Sequence, residues 1–152
     1  QFFLFMLFFV GGSSGSTSGG IKVVRWVVLG KQLNNDTKRM LHPPGIFTIR
    51  LNGKVSNKEI VLSVTSFMFL YFVMIALSVF VGCLGNLDIL TSATGAMSMV
   101  GNVGPAFGLL GPTANYGALP AFVKLWYCFA MLAGRLELYT MIIFFLPSYW
   151  RK

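Results

Sequence analysis

The residues best suited to chemistry in this chain are backbone groups in a glycine-rich stretch, Gly101-Asn-Val-Gly-Pro105. This filter stretch has no charged side chain, but its glycines allow unusual backbone conformations and its proline stops a helix. Irregular backbone at membrane depth is tolerated where it is buried in protein or lines a wet cavity, and its carbonyl oxygens can replace the water around a cation. We therefore predict one quarter of a cation selectivity filter; an ordinary loop between two helices is the alternative. The candidate filter residues are Gly101, Asn102, Val103 and Gly104.

A second candidate is a glycine- and serine-rich segment, residues 11–20, which separates the apolar runs 2–10 and 21–29. The three parts together would form one membrane span with a broken middle, and broken spans build ion sites and gates in transport proteins. A flexible soluble linker is one alternative. A phosphate-binding loop is another, but Ile21 stands where that motif requires lysine. The segment consists of Gly11, Gly12, Ser13, Ser14, Gly15, Ser16, Thr17, Ser18, Gly19 and Gly20.

Two charged residues, Arg135 and Glu137, lie within the last apolar run, residues 121–146. Charges at the centre of a bilayer are costly and usually mark function. Residues two apart on a helix point to different faces, so we do not expect the two side chains to neutralise each other. We predict that Arg135 reaches the 11–20 segment, where its guanidinium donors can hold loop carbonyls. A structural ion pair within a helix bundle is the alternative.

The composition predicts a membrane protein. Hydrophobic residues make up 55% of the 152 residues and charged residues only 11%, with a mean hydropathy of +0.73, whereas soluble domains carry roughly 25% charged residues. The net charge of +8 comes from basic residues beside apolar spans, which favours the positive-inside pattern over nucleic-acid binding. Cys83 and Cys128 lie in or beside apolar runs, and we expect both to be packing residues without a disulfide or metal.

Three further elements must position the candidate residues. Residues 60–81 carry no charge and are long enough to cross a bilayer. Residues 87–100 are too short and polar to span and fit a re-entrant pore helix, whose C-terminal dipole favours a cation at the filter stretch. We expect Asn86 to cap its N-terminus, with Asp88 in the first turn. The last span is predicted over residues 121–146, closed by interfacial and basic residues at 147–152.

The polar part of the chain, residues 31–58, is strongly basic and is therefore placed in the cytoplasm. His42-Pro-Pro is expected to end the preceding helix. Residues 47–51 alternate like a short strand and Asn52-Gly53 is a hairpin turn signal, so a small β-hairpin is predicted. The chain opens at Gln1 inside an apolar run, and we expect it to be the C-terminal part of a longer protein.

Four stretches, in this order and spacing, resemble the C-terminal portion of Trk/Ktr-type potassium transporters, most closely the TrkH kind. They are GGSSGSTSGGIKVVR (11–25), NVGP (102–105), AMLAGRLEL (130–138) and PSYWR (147–151). The likeness covers essentially the whole chain. The sequence departs from the family mildly: Gly101 stands where a second asparagine is frequent, and Ser13 and Ser18 differ from the usual gating-loop residues.

The resemblance implies an all-α membrane protein of four helix–pore loop–helix repeats around one pore, with the small cytoplasmic hairpin added. Residues 1–41 would be the second helix of the third repeat, residues 42–58 a cytoplasmic linker and residues 59–152 the fourth repeat. Gly104 would be the filter glycine, with potassium coordinated at Asn102 and Val103. Residues 11–20 would be an intramembrane gating loop contacted by Arg135.

The resemblance also implies a transporter rather than an enzyme, with potassium as substrate, no cofactor and no nucleic acid. Its setting would be the inner (cytoplasmic) membrane of a bacterium, crossed several times. Its partners would be the missing N-terminal repeats, a second copy in a homodimer, the lipid bilayer and a TrkA/KtrA-like ring of nucleotide-binding regulatory subunits. A non-conducting membrane scaffold and a sodium- or proton-coupled cation carrier remain the alternatives, and the sequence leaves potassium-over-sodium preference open.

Overall fold

The protein is described by a computed structural model that covers residues 6, 8, 11–13, 19–41, 50–51, 54–55, 58–136, 140–141, 143 and 147–150. Over these residues the chain is mainly helical. Its helices and strands, in order, are α1 (Val23–Leu41), β1 (Arg50–Leu51), β2 (Lys54–Val55), α2 (Lys58–Leu84), α3 (Ile89–Gly101), α4 (Ala121–Arg135) and α5 (Pro147–Trp150). Two single 3₁₀ turns, Gly108–Leu110 and Tyr116–Ala118, lie between α3 and α4.

Helix α2 contains the predicted span 60–81. Among the described residues, it is the one helix whose length and composition suit a membrane crossing, over Glu59–Leu84. One side of α2 is buried against α3 and α4, through residues such as Phe67, Tyr71 and Ile75. The other side exposes large apolar side chains, including Phe69 and Phe80. A helix that is apolar all round suits a bilayer, where lipid covers the face that protein leaves open.

Helix α3 lies between α2 and α4 and is the most buried helix of the chain. Its hidden side chains include several small hydroxyl residues: Thr91, Ser92, Thr94 and Ser98. Small residues let helices approach closely, which membrane interfaces favour. The core therefore lies around α3: one cluster of buried apolar residues includes its Ala96 and Val100, and a second includes its Met99.

The predicted capping role of Asn86 is wrong. Helix α3 begins at Ile89, with Asp88 at the N-cap position and without a side-chain capping bond. Asn86 instead follows the end of α2 with a φ of 58°. The Asn86 N–H donates to the Cys83 carbonyl (3.0 Å) and the Leu87 N–H to the Gly82 carbonyl (3.3 Å), which is a Schellman motif. Asparagine tolerates this left-handed conformation, so it ends the first helix rather than starting the second.

The predicted last span, residues 121–146, is described in part. Helix α4 ends at Arg135, and Leu136, with φ −82° and ψ 4°, donates its N–H to the Leu132 carbonyl. A ψ near zero departs from ideal helical geometry. Residues 137–139, including Glu137, lie outside the described residues, and Thr140, Met141 and Ile143 are helical. The span over 121–146 therefore stays a prediction.

The segment predicted to be cytoplasmic, residues 31–58, is described in part. Helix α1 extends from the apolar run into the polar region and ends at Leu41, immediately before His42-Pro-Pro, which lies outside the described residues. Strands β1 and β2 pair antiparallel, with Arg50 opposite Val55 and Leu51 opposite Lys54. The expected turn at Asn52-Gly53 lies outside the described residues. The two strands nevertheless occupy the positions that a hairpin around this turn requires.

Candidate functional site

The candidate site forms where α3 ends. Asn102 has a φ of 56° and donates its N–H to the Met99 carbonyl (3.1 Å), while the Val103 N–H donates to the Ser98 carbonyl (2.9 Å). This is a second Schellman motif with asparagine at its left-handed position. The motif stops the helix inside the protein, and the negative end of the helix dipole then lies at the filter stretch.

The Asn102 side chain lies between helix α4 and the 11–20 segment. Its Nδ2 donates to the Met131 carbonyl of α4 (3.1 Å). Gly134, one turn further along α4, is so close that a Cβ there would overlap the Val100 carbonyl oxygen and come within 3.1 Å of Asn102 Nδ2. On the other side, a Cβ on Gly19 would lie 2.6 Å from the same nitrogen. Only glycines leave room for this amide between α4 and the 11–20 segment.

The Gly19–Gly20 end of the 11–20 segment lies beside the filter stretch. Gly19, Gly20 and Ile21 are buried, and a Cβ on Gly20 would stand 3.5 Å from the Gly101 carbonyl oxygen. Gly20 has a φ of 80°, which other residues rarely adopt. The Gly11 N–H donates to the Ile21 carbonyl (2.9 Å), so the two ends of the segment are joined to each other. Residues 14–18 lie outside the described residues.

Gly104 requires glycine for its backbone conformation. Its φ is 104°, yet a Cβ at this position would meet no atom within 4 Å. A side chain would therefore fit in space but would strain the backbone. The carbonyl of Gly104 accepts a hydrogen bond from the Tyr116 hydroxyl at 2.6 Å. Val103, just before it, is 45% exposed in the described chain.

The segment after the filter stretch is tied back to α3 by threonine hydroxyls. Thr94 Oγ1 accepts from the Phe107 N–H (3.1 Å), and Thr91 Oγ1 accepts from the Leu109 N–H (3.4 Å). A largely apolar cavity of about 730 Å³ lies between this segment and α4. Gly104, Tyr116 and Tyr127 line it. The filter stretch is thus fixed on its outer side by hydrogen bonds made in apolar surroundings.

Arg135 ends α4 with an exposed side chain. Arg135 was predicted to reach the 11–20 segment, whose residues 14–18 lie outside the described residues, so the contact stays a prediction. Its neighbour Gly134 is the residue that packs against the filter stretch. Cys83 and Cys128 are exposed on α2 and α4 and do not contribute to the core.

Sequence reasoning missed Met131, Gly134 and Tyr116 as partners of the filter stretch, and Thr94 as the acceptor for the Phe107 N–H that follows it. The small residues Ala130, Ala133 and Gly134 form a face that signals close helix packing, so Gly134 was detectable. Met131 acts through its carbonyl, and nothing in the sequence marks it. Among the described residues, no three histidine, cysteine or acidic side chains are grouped to hold a metal. That the backbone of Asn102 and Val103 coordinates potassium stays a prediction.

Comparison with known proteins gives a consistent result. The family model described as TrkH, cation transport protein, matches residues 1–152. The chain is 39% identical over 150 residues to the Trk system potassium uptake protein TrkI of Halomonas elongata, covering 97% of this chain and 30% of the relative. It is 35% identical over 150 residues to the Trk system potassium uptake protein TrkG of Escherichia coli, covering 99% of this chain and 30% of the relative.

A solved structure also matches. The crystal structure of the potassium transporter TrkH from Vibrio parahaemolyticus superposes with a TM-score of 0.87 at 30% sequence identity. The match covers 99% of this chain and 32% of that one. The chain therefore spans about 30% of the length of the curated relatives that it matches.

Proposed function

The chain belongs to the TrkH family of cation transport proteins, and from that premise we propose that it is the C-terminal part of a bacterial potassium uptake transporter. The family is one of membrane transporters and not of enzymes, and the similar proteins named above are potassium uptake proteins. One observation carries the proposal. The capped end of α3 turns backbone toward the same place that the ends of the 11–20 segment occupy.

The filter would work through backbone oxygens. Carbonyls of Asn102 and Val103 replace water around a potassium ion, and the C-terminal dipole of α3 favours the positive charge there. Gly20 admits the close approach of the 11–20 segment to Gly101, while Gly104 supplies a positive φ of 104° at the end of the filter residues. Three further filter quarters would come from the N-terminal repeats of the complete protein.

The gate would be the 11–20 segment. Its Gly19–Gly20 end approaches Gly101 and Asn102, which supports a position directly beside the ion path. In the closed state residues 14–18 would block that path, and Arg135 would hold their carbonyls. Displacement of the segment would then let potassium flow passively into the cell.

The setting we propose follows the family. The complete transporter would be a multi-pass homodimer in the inner membrane, with residues 59–152 as its fourth repeat and residues 1–41 as the second helix of its third. A cytoplasmic ring of nucleotide-binding regulatory subunits would displace the gate. The surfaces of the transporter that bind this ring would be the C-terminus and the basic region 31–58, which includes the polar end of α1.

Rubidium uptake into liposomes carrying the complete transporter tests the filter, with potassium or sodium as competitor. We expect potassium, and not sodium, to block uptake. Gly104→Asp should abolish uptake or remove the preference for potassium. A φ of 104° strains any residue that has a side chain, and the aspartate adds a negative charge at the filter stretch. Ala118→Ser, at an exposed position of the same outer region, is the control and should behave like the wild type. Unchanged potassium preference in Gly104→Asp would refute the filter assignment.

The gate is tested by deleting two residues within 14–18 in the same assay. A shorter segment blocks the path less completely, so uptake without regulatory subunits should rise. Normally folded protein with unchanged or lower basal uptake would contradict the gate.

A further inference from the structure

We propose that Tyr116 is a selectivity-determining positioning residue, whose hydroxyl holds the Gly104 carbonyl from behind the filter stretch. This inference rests on the proposed filter function of residues 101–104. It gives the loop between α3 and α4 a role that neither the filter stretch nor the 11–20 segment has. It also separates Gly104 from the residues that contact the ion.

The hydrogen bond between Tyr116 and Gly104 is short and engages the Gly104 carbonyl oxygen. The Tyr116 hydroxyl donates to the Gly104 carbonyl oxygen at 2.6 Å, across twelve residues of sequence. This engages the oxygen on the cavity side of the chain, where Gly104 and Tyr116 both line the apolar space between the 104–119 loop and α4. The oxygens left to face the ion are then those of Asn102 and Val103. A hydrogen bond in apolar surroundings is stronger than one in water, so it resists rotation of this peptide.

Tyr116 is itself fixed on both sides. It begins the 3₁₀ turn Tyr116–Ala118, in which the Asn115 side chain accepts from the Gly117 N–H (3.0 Å). Lys124 of α4 donates from Nζ to the Gly117 carbonyl at 2.6 Å. We call residues 115–118 the outer strap. Lys124 ties the outer strap to α4, and Tyr116 ties it to the filter stretch.

The phenol is in the right protonation state for this task. Burial raises the pKa of Tyr116 above its ordinary value. The hydroxyl therefore keeps its proton throughout the physiological range and remains a donor.

Holding Gly104 matters because ion preference depends on where filter oxygens lie. Both accounts of potassium selectivity, cavity size and the field of the carbonyl dipoles, require a limited freedom of the filter backbone. Gly104 has no side chain, and no atom lies within 4 Å of its Cβ position, so side-chain packing does not restrain it. The hydrogen bond from Tyr116 supplies the restraint that packing lacks.

The test is rubidium uptake by the complete transporter in liposomes, with the ratio of potassium to sodium inhibition as readout. Tyr116→Phe should lower that ratio about threefold to tenfold, the effect expected for loss of one hydrogen bond. Tyr127→Phe is the matched control, since its buried hydroxyl lines the same cavity and has no hydrogen-bond partner among the described residues. It should keep the wild-type ratio. Thermal unfolding in detergent should be alike for both variants.

A second variant guards against a folding defect in Tyr116→Phe. Lys124→Met keeps the apolar stem but releases the outer strap from α4, and it should shift the ratio in the same direction by a smaller factor. Wild-type ratios in both Tyr116→Phe and Lys124→Met would overturn the inference and leave the filter assignment intact. A wild-type protein whose rubidium uptake ignores potassium would overturn the proposed function and this inference together.

Discussion

At the scale of single residues, the two asparagines at helix ends explain much of the local structure. Asn86 and Asn102 have φ values of 58° and 56°, and each closes a Schellman motif after an apolar helix. Their side chains differ in surroundings. Asn86 is exposed, whereas the amide of Asn102 is held by the Met131 carbonyl and enclosed by Gly19 and Gly134. Both asparagines therefore end a helix through their backbone, but only the Asn102 side chain also bonds to another helix, α4.

This difference predicts the effect of matched substitutions. Asn86→Gly and Asn102→Gly should both keep the helix caps, because glycine adopts the left-handed conformation freely. Only Asn102→Gly removes the tie to α4, so only this variant should lower potassium-over-sodium preference in the rubidium assay. Equal effects of the two variants would show that the side chain of Asn102 serves the cap alone.

A second pair concerns two helical glycines. Gly134→Ala places a Cβ into the Val100 carbonyl oxygen and should destabilise the transporter by about 1–3 kcal/mol, as overpacked cores do. Gly30→Ala meets no atom within 4 Å of the new Cβ and should stabilise α1 by about 0.5–1 kcal/mol. Thermal unfolding of the complete transporter in detergent measures both. A Gly134→Ala variant as stable as the wild type would contradict the close contact of α3 and α4.

At the scale of elements, α3 organises the site from both of its ends. Its C-terminus positions Asn102, and hydroxyls of its first turns accept N–H groups of the outer segment. Helix α4 contributes backbone and glycine rather than charge, through Met131 and Gly134. The ends of the 11–20 segment complete the enclosure. A change in any one of these elements would therefore be felt at the filter stretch.

The threonines of α3 provide the prediction at this scale. Thr94→Val keeps the shape of the side chain but leaves the Phe107 N–H without its acceptor, a loss of about 1–3 kcal/mol if that N–H stays buried. Thr91→Val breaks a longer bond, 3.4 Å to the Leu109 N–H, and should cost less. Unfolding temperature and rubidium uptake should decline in the order wild type, Thr91→Val, Thr94→Val. The reverse order would mean that the outer segment is held by packing alone.

At the scale of the whole molecule, the chain contains the filter stretch and the described ends of the 11–20 segment. It covers about 30% of its relatives' length, and a closed ring of carbonyls around an ion needs the other repeats. Large apolar side chains stay exposed on α2 and α4, such as Phe69 and Leu125. These surfaces suit lipid and the remaining helices of the transporter.

A whole-molecule prediction follows. The 152-residue chain alone, reconstituted into liposomes, should give no potassium-sensitive rubidium uptake, whereas the complete transporter should. The physical reason is that a single quarter of a filter cannot replace the hydration shell of an ion. Potassium-sensitive uptake by the chain alone would mean that copies of it assemble a pore by themselves, contrary to the four-repeat arrangement.

The sequence by itself determined the features that depend on local composition. The charge-free run at 60–81 must form a helix in a bilayer, and it lies within α2. The TrkH family was identified from four short stretches in order, and the family match covers the whole chain. The broken segment at 11–20 and the filter stretch were marked by glycine content. The last span over 121–146 was expected from the same local reasoning, and α4 covers its first part, Ala121–Arg135.

Tertiary structure alone decided which groups meet at the filter stretch. The Asn102 side chain is joined to Met131 across 29 residues and Gly104 to Tyr116 across 12. Local patterns report propensity and hydrophobicity within a few turns of chain, whereas these bonds depend on how α3 and α4 approach each other. The capping error at Asn86 has a similar origin. Asparagine suits the end of one helix and the start of the next almost equally, and the carbonyls left unpaired at the end of α2 favoured the first of these two positions.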